Sequence, residues 1–325
     1  MRVFDLHTDT MMDVSNKVGK GETDVLGKHH MPDYKAGEVG GQIFALWVPP
    51  TVEDGAEYFT ENLTGPQDIM MRMLARNFRE FRDYHTVELA YTGTDIERIY
   101  DEGKSPVLLG IEGFYGFNGE PGMIDVMYNL GFRHGMMTWN NDNEFASGAE
   151  FEGEDKGLTE LGVYTVKRME ELGMLIDVSH LSFKSFWDVM DATTGPVIAS
   201  HSNAWSLCPC ARNLKDDQIK AIAERGGVIG MNTWKGFIME DMEAATEKDL
   251  ARHARYIVDL VGPEYVACGF DFCNYFSEED PTPGIRSAAD AQNFLQALRE
   301  VGFSEKEVEM IAWDNALRVI KKVLG

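Results

Sequence analysis

Cysteine is scarce in this chain: there are four in 325 residues, Cys208, Cys210, Cys268 and Cys273. So few in so long a chain exclude a disulfide scaffold, and Cys208-Pro209-Cys210 lacks the two-residue spacing of zinc ribbons or thioredoxin-like sites. All four are read as bystanders. Positive charge is also short, with 30 Lys and Arg against 54 Asp and Glu and a formal net charge of −24. That balance argues against nucleic acid or an anionic membrane as partner. No apolar run approaches the ~20 residues that span a bilayer. The opening "MRVFDLHTDT" has no apolar leader core, so a cytoplasmic location is expected. No Gly-rich dinucleotide fingerprint follows the first apolar run, which weakens a doubly wound nucleotide-binding sheet. Repeats, low-complexity tracts and linkers are missing too, and residues 1–325 are expected to form a single domain.

What is present suits a packed globule, with 44% apolar and 11% aromatic residues. Short apolar runs alternate with longer amphipathic stretches. The strand candidates are "RVFDLH", "GQIFALWV", "PVLLGIE", "RHGMMTW", "GMLIDVSH", "GPVIASHS", "GGVIGMN" and "YVACGFDF". Between them, residues 66–84, 159–172, 215–225 and 247–261 carry apolar side chains at helical spacing, and 287–325 reads as helices ending in "ALRVIKKVL". Near-continuous apolar strands alternating with helices predict a parallel sheet. Eight such units make a (β/α)8 TIM barrel of about 250 residues, leaving room for long loops. The Gly- and Lys-rich segment 17–41 is read as one of these.

The polar residues then fall into a pattern. In "FDLHTDT", Asp5, His7 and Asp9 stand at every second position, which in a strand places them on one face. The third run ends in Glu112, the fifth in His180, the sixth in His201 and the eighth in Asp271. In a barrel these C-terminal ends converge on one mouth. A strand buried on both faces has no reason to end so often in His, Asp or Glu unless they are paired or bind metal. Three histidines with two or three carboxylates suit borderline divalent ions, and the set is rich enough for two. A single strand-end histidine is more often structural, so the weight lies in the joint pattern. His29, His30, His85 and His253 sit in loop, helix or turn contexts, and His134 begins a strand at the end away from the mouth. These five are read as structural.

At these residues the sequence resembles the membrane (renal) dipeptidase family, peptidase family M19, within the amidohydrolase superfamily. "DLHTD", "MPDYKAGEVGGQIFALWV", "GIEG", "IDVSH", "SHSNA", "CARNLKDDQIKAIAERGGVIGMN" and "CGFDF" match its segments in order. The resemblance implies a distorted, amidohydrolase-like (β/α)8 barrel and a zinc-dependent dipeptidase that attacks short peptides, including L-Xaa-D-Xaa, with a metal-bound hydroxide. It implies two Zn2+ per chain, with Mn2+ or Fe2+ as substitutes. His7 and Asp9 would bind one ion, His180 and His201 the other, and Glu112 would bridge them. Arg212 would grip the substrate carboxylate, Asp271 would move protons, and Asp5 would orient a ligand from behind. A homodimer is also implied. The sequence departs from the animal members where "MMTWNNDNE" places Trp139 in the position of a histidine that holds the oxyanion. Trp139 and Asn140 are therefore expected among the substrate contacts. "GFDFCN" in place of "GSDFDG" marks a second departure. Two rivals stay open: an amidohydrolase acting on another amide, lactone, ester or N-acyl amino acid, and a metal-binding scaffold that has lost catalysis.

Overall fold

Each apolar run folds as a strand because both of its faces are covered. The computed structural model describes residues 1–55, 63–150, 152–275 and 281–325. Strands β1 (Val3–Thr8) and β2 (Val39–Trp47) precede a two-residue strand absent from the sequence reading, β3 (Glu88–Leu89). Then come β4 (Pro106–Glu112), β5 (Phe132–Met136), β6 (Leu175–Asp177), β7 (Val197–Ala199), β8 (Val228–Met231) and β9 (Val266–Cys268). All pairings among them are parallel. β2 pairs with β1 on one side and β4 on the other, and β1 pairs with β9, so eight strands close into a barrel. β3 hangs on the start of β4. The fold is the expected (β/α)8 TIM barrel.

Every residue of β4 is buried, which accounts for its unbroken apolar run. Phe4, Ile43, Leu108, Leu175, Ile198 and Val228, from six strands, pack with Trp313 and the C-terminal helix Asn315–Leu324. That helix touches β1, β6, β8 and β9 and floors the barrel opposite the mouth. Two glycines are required by close approach. A Cβ on Gly230 would lie 1.9 Å from the Ser200 carbonyl oxygen, and one on Gly269 1.7 Å from it.

The expected helices form at Pro66–Tyr84, Glu160–Leu172, Asp216–Glu224 and Glu247–Val261, and the tail is helical. Their ends carry the reasons. The Thr159 hydroxyl accepts from the Gly162 N–H, and Gly173 ends that helix at φ 69°. Thr246 and Asp249 form a capping box.

Segment 17–41 is not a loop. A helix Thr10–Gly19, a π-helical turn Leu26–His30 and a helix Met31–Ala36 lead into β2. Met11, Val14 and Val18 form a buried stripe at helical spacing, while the glycines and lysines that suggested a loop lie on the outer side or at the ends. The strict alternation expected of "FDLHTDT" also fails, because the pairing of β1 with β2 slips register between Asp5 and Thr8.

Candidate metal and peptide site

The barrel presents its polar residues where short strands give way to loops. Glu112 is the last residue of β4, Asp9 directly follows β1, and His180, His201 and Asp271 lie just past β6, β7 and β9. All are buried or nearly so. His180 (φ 62°) and Asp271 (φ 57°) adopt the left-handed backbone that few non-glycine residues visit. Such strain persists where surrounding structure enforces it, commonly at functional sites.

Glu112 is at the centre. Its Oε2 lies 3.1 Å from His7 Nε2, and its Oε1 lies 3.0 Å from His180 Nε2 and 3.8 Å from His201 Nε2. His7 Nε2 is also 3.9 Å from Asp9 Oδ1 and 3.7 Å from Asp271 Oδ1. The Nε2 atoms of His180 and His201 stand 2.9 Å apart. Each of these two rings has its other nitrogen engaged, His180 Nδ1 with Asn140 Oδ1 at 2.7 Å and His201 Nδ1 with Ser200 Oγ at 2.7 Å. Donation from His180 Nδ1 to Asn140 leaves the His180 Nε2 lone pair free, the usual arrangement of a metal-ligating histidine.

Two of the rings are held neutral. Burial, reinforced by the charge of Arg212, pushes His180 down to about 4. Burial and the charge of His7 take His201 well below the ordinary histidine range. His7 moves the other way: burial opposes its charge, but Glu112, Asp271 and Asp9 outweigh it and raise the imidazole to about 10. Burial likewise opposes ionisation of Glu112, yet His7 and His180 hold it below the usual carboxylate range. Asp9 and Asp271 are both raised, by burial first. The mouth therefore gathers more buried carboxylate than its own cations neutralise.

A divalent ion fits that imbalance. His7 Nδ1, His7 Nε2 and Asp9 Oδ1 are buried with no hydrogen-bond partner. Ligand atoms of His7, Glu112 and His201 all lie within 4.8 Å of one another, and so do those of His7, Asp9 and Asp271. Contacts this short without hydrogen-bond alignment are what convergent ligands look like. Imidazole with carboxylate is the donor set that zinc, manganese and iron accept.

Behind these residues, two buried carboxylates tie the strand ends together. Asp5 Oδ1 accepts from the Phe270 N–H (2.8 Å) and the His7 N–H (3.3 Å), fastening the backbone beside Asp271 to that of His7. Asp5 thus acts through backbone, not through a ligand ring. Asp177 Oδ1 accepts from the N–H groups of Ser179 (2.9 Å) and Ser200 (3.1 Å), each the neighbour of a site histidine. Asp177 Oδ2 meets His134 Nε2 at 2.7 Å, so His134 supports the site from inside the barrel. Asn232, just past β8, donates from Nδ2 to Asp271 Oδ2 at 3.0 Å. Asp177 and Asn232 were not singled out in sequence, although Asn232 ends an apolar run as the other site residues do.

Asp177→Ala is expected to strand two backbone donors and His134, each unsatisfied group costing about 1–3 kcal/mol. Metal affinity should fall about 10- to 100-fold as His180 and His201 lose their fixed backbone. Thermal unfolding of metal-free protein with a metal titration checks both. Wild-type values in both would show that Asp177 positions nothing.

Arg212 is buried beside the cluster. Its Nη2 donates to the His201 carbonyl at 3.4 Å, its Nε has no partner, and the Phe237 ring centroid lies 5.4 Å from its Cζ. No carboxylate pairs with it among the described residues. Asn140 uses its side-chain oxygen on His180, and Trp139 sets its ring 5.4 Å from that of Trp47 and 6.3 Å from that of His180. Both stand at the mouth, with Asn140 turned toward a histidine. His253 bridges the Ala204 N–H and the Ile238 carbonyl, the structural role expected of it.

Comparison with known proteins places this geometry. The family described as Membrane dipeptidase (Peptidase family M19) matches residues 1–324. An uncharacterised protein from the pqqA 5' region of Klebsiella pneumoniae is 34% identical over 245 residues, 73% of this chain and 89% of its own. Dipeptidase aclJ of Aspergillus oryzae is 28% identical over 307 residues, 92% of this chain and 71% of its own. A metallo peptidase from Rhodobacter sphaeroides, crystallised with a phosphinate mimic of the dipeptide L-Ala-D-Ala, shares the fold. It superposes at a TM-score of 0.86 with 23% identity, over 99% of both chains.

Proposed function

Because the chain belongs to the membrane dipeptidase family, peptidase family M19, and is a metallo-dipeptidase, we propose that it is a two-zinc enzyme for dipeptides with a free C-terminal carboxylate, L-Xaa-D-Xaa among them. The observation that carries this reading is Arg212, a buried guanidinium with an unpartnered Nε and, among the described residues, no carboxylate in ion-pair contact, next to the cluster around Glu112. A buried charge is costly unless paired, and a planar fork is matched by a carboxylate. The missing partner is the substrate. An internal peptide bond has no carboxylate at that place, so internal bonds of proteins are excluded.

His7 and Asp9 would hold one ion and His180 and His201 the other, with Glu112 near both sets of ligands. When bound, the ions supply an activated water and polarise the scissile carbonyl. Asp271, raised by burial and anchored by Asn232, takes a proton from the attacking water and delivers it to the leaving amine. Asn140 keeps His180 in the tautomer that offers Nε2. The mimic bound to the Rhodobacter sphaeroides protein supports a D-residue at the C-terminal position.

The test is hydrolysis of L-Ala-D-Ala, L-Ala-L-Ala and L-Ala-D-alaninamide by purified protein, before and after chelation and zinc return. Expected is cleavage of at least one free dipeptide, lost on chelation, restored by zinc, and far slower for the amide. Equal turnover of the amide would move the substrate to another amide class.

A further inference from the structure

Beyond Arg212 the mouth opens into a cavity of about 320 Å³ that runs from His180 and Arg212 to Lys215. Lys215 stands immediately before the helix Asp216–Glu224. Its ammonium lies 4.4 Å from the ring centroid of Phe183, at the start of the helix Phe183–Ala192, and 5.9 Å from that of Trp205, in the connection that Lys215 itself ends. Aromatic faces of this kind orient a cation without neutralising it. No carboxylate pairs with Lys215 among the described residues. The acid on the cavity wall, Asp155, is fully engaged. Its Oδ1 accepts from Ser182 Oγ (2.6 Å) and the Gly157 N–H (3.1 Å), and its Oδ2 from the Lys184 N–H (2.8 Å). A chain with 54 acidic and 30 basic residues thus keeps in one cavity two cations that, among the described residues, have no carboxylate in ion-pair contact.

We propose that this cavity receives the C-terminal side chain of the dipeptide and that Lys215 selects an acidic one, aspartate or glutamate. The inference rests on the dipeptidase reading. Arg212 takes the α-carboxylate, the aliphatic walls of Val178 and Leu214 take the methylenes, and Lys215 takes the side-chain carboxylate at the far end. Because Lys215 is exposed, the attraction is screened by solvent and salt.

The experiment compares kcat/KM for L-Ala-D-Glu with that for its neutral isostere L-Ala-D-Gln, and the matching L-Ala-L-Glu and L-Ala-L-Gln pair, in wild type, K215M, K215R and K215E. Wild type should favour the acid about five- to tenfold, mostly through KM, with the ratio shrinking as salt rises. K215M should bring the ratio near one, K215R should keep it, and K215E should turn the preference toward L-Ala-D-Lys. A ratio near one in wild type, or an acid preference unchanged in K215M, overturns the proposal. L-Ala-D-Ala separates the two failures. If wild type cleaves it without preferring acids, only the specificity fails; if no dipeptide is cleaved, the dipeptidase reading fails and this inference with it.

Discussion

Arg212→Ala should lower kcat/KM for a free dipeptide by about 30- to 5,000-fold while leaving the thermal midpoint of the metal-free protein nearly unmoved. The two halves have different causes. In the proposed complex, the guanidinium and the substrate carboxylate would form a desolvated, hydrogen-bonded charge pair, and truncating one member of such a pair costs about 2–5 kcal/mol, which is that range of rate at about 1.4 kcal/mol per factor of ten. In the free protein, the change removes one long hydrogen bond to the His201 carbonyl, at 3.4 Å, and the contact with Phe237. No ion pair is broken among the described residues, and the burial cost of the charge, which outweighs the attraction of Asp271, Glu112 and Glu150, is relieved. Arg212→Lys should fall between the two, because a lysine keeps the charge and loses the fork. The penalty should also depend on the substrate. On the C-terminal amide the variant should lose little, since the amide offers no carboxylate to miss. Steady-state kinetics on the acid and amide pair, with a melting curve of each variant, reads all of this. Equal losses on acid and amide would show that Arg212 shapes the site and does not bind the carboxylate.

The barrel was legible in the sequence because a strand covered on both faces must be apolar along its length. Eight such runs alternated with stretches at helical period. The candidate site was legible for the complementary reason: His, Asp or Glu at the end of such a run contradicts its surroundings, and the contradiction recurred at Asp9, Glu112, His180, His201 and Asp271. What escaped was non-local. Asp177 sits inside "LIDVSH" and reads as one more polar strand residue until folding brings the Ser200 N–H, 23 positions away, to its carboxylate. Asn232 becomes informative only when Asp271, 39 positions on, is beside it. Segment 17–41 was misread because its glycines and lysines signal a loop, whereas its buried stripe begins earlier, at Met11. The alternation in "FDLHTDT" pointed to His7 for an incomplete reason. The register slip separates Asp5, which binds backbone, from His7, whose ring lies 3.9 Å from that of His201.

Glu112→Gln is the change expected to remove the most activity. Gln keeps the shape of the side chain and deletes its charge, so the loss reports electrostatics and not packing. Glu112 approaches the Nε2 atoms of three histidines, at 3.1, 3.0 and 3.8 Å, and, like Asp177 behind it, is held ionised against burial. In the proposed two-ion site the carboxylate would supply negative charge to both ions; an amide would supply none, and one amide oxygen could not serve two cations as a carboxylate does. The expected drop in kcat/KM is on the order of 10^3-fold or more, since activation of the water and polarisation of the carbonyl both depend on the ions. Metal content should fall with it. A second readout does not pass through catalysis. An ion that binds only the folded protein stabilises it by RT ln(1 + [L]/Kd), about 4 kcal/mol at a thousandfold excess over Kd. Wild type should therefore melt at a clearly lower temperature after chelation, whereas Glu112→Gln should melt nearly alike with and without the chelator. In the metal-free state His7 loses the largest of the partners that raise it to about 10, so its protonated form is favoured less at neutral pH than in wild type. If the variant kept its metal and cleaved dipeptides within about tenfold of wild type, Glu112 would be a structural partner of the histidines, and the ions would have to be held by the remaining carboxylates, Asp9 and Asp271.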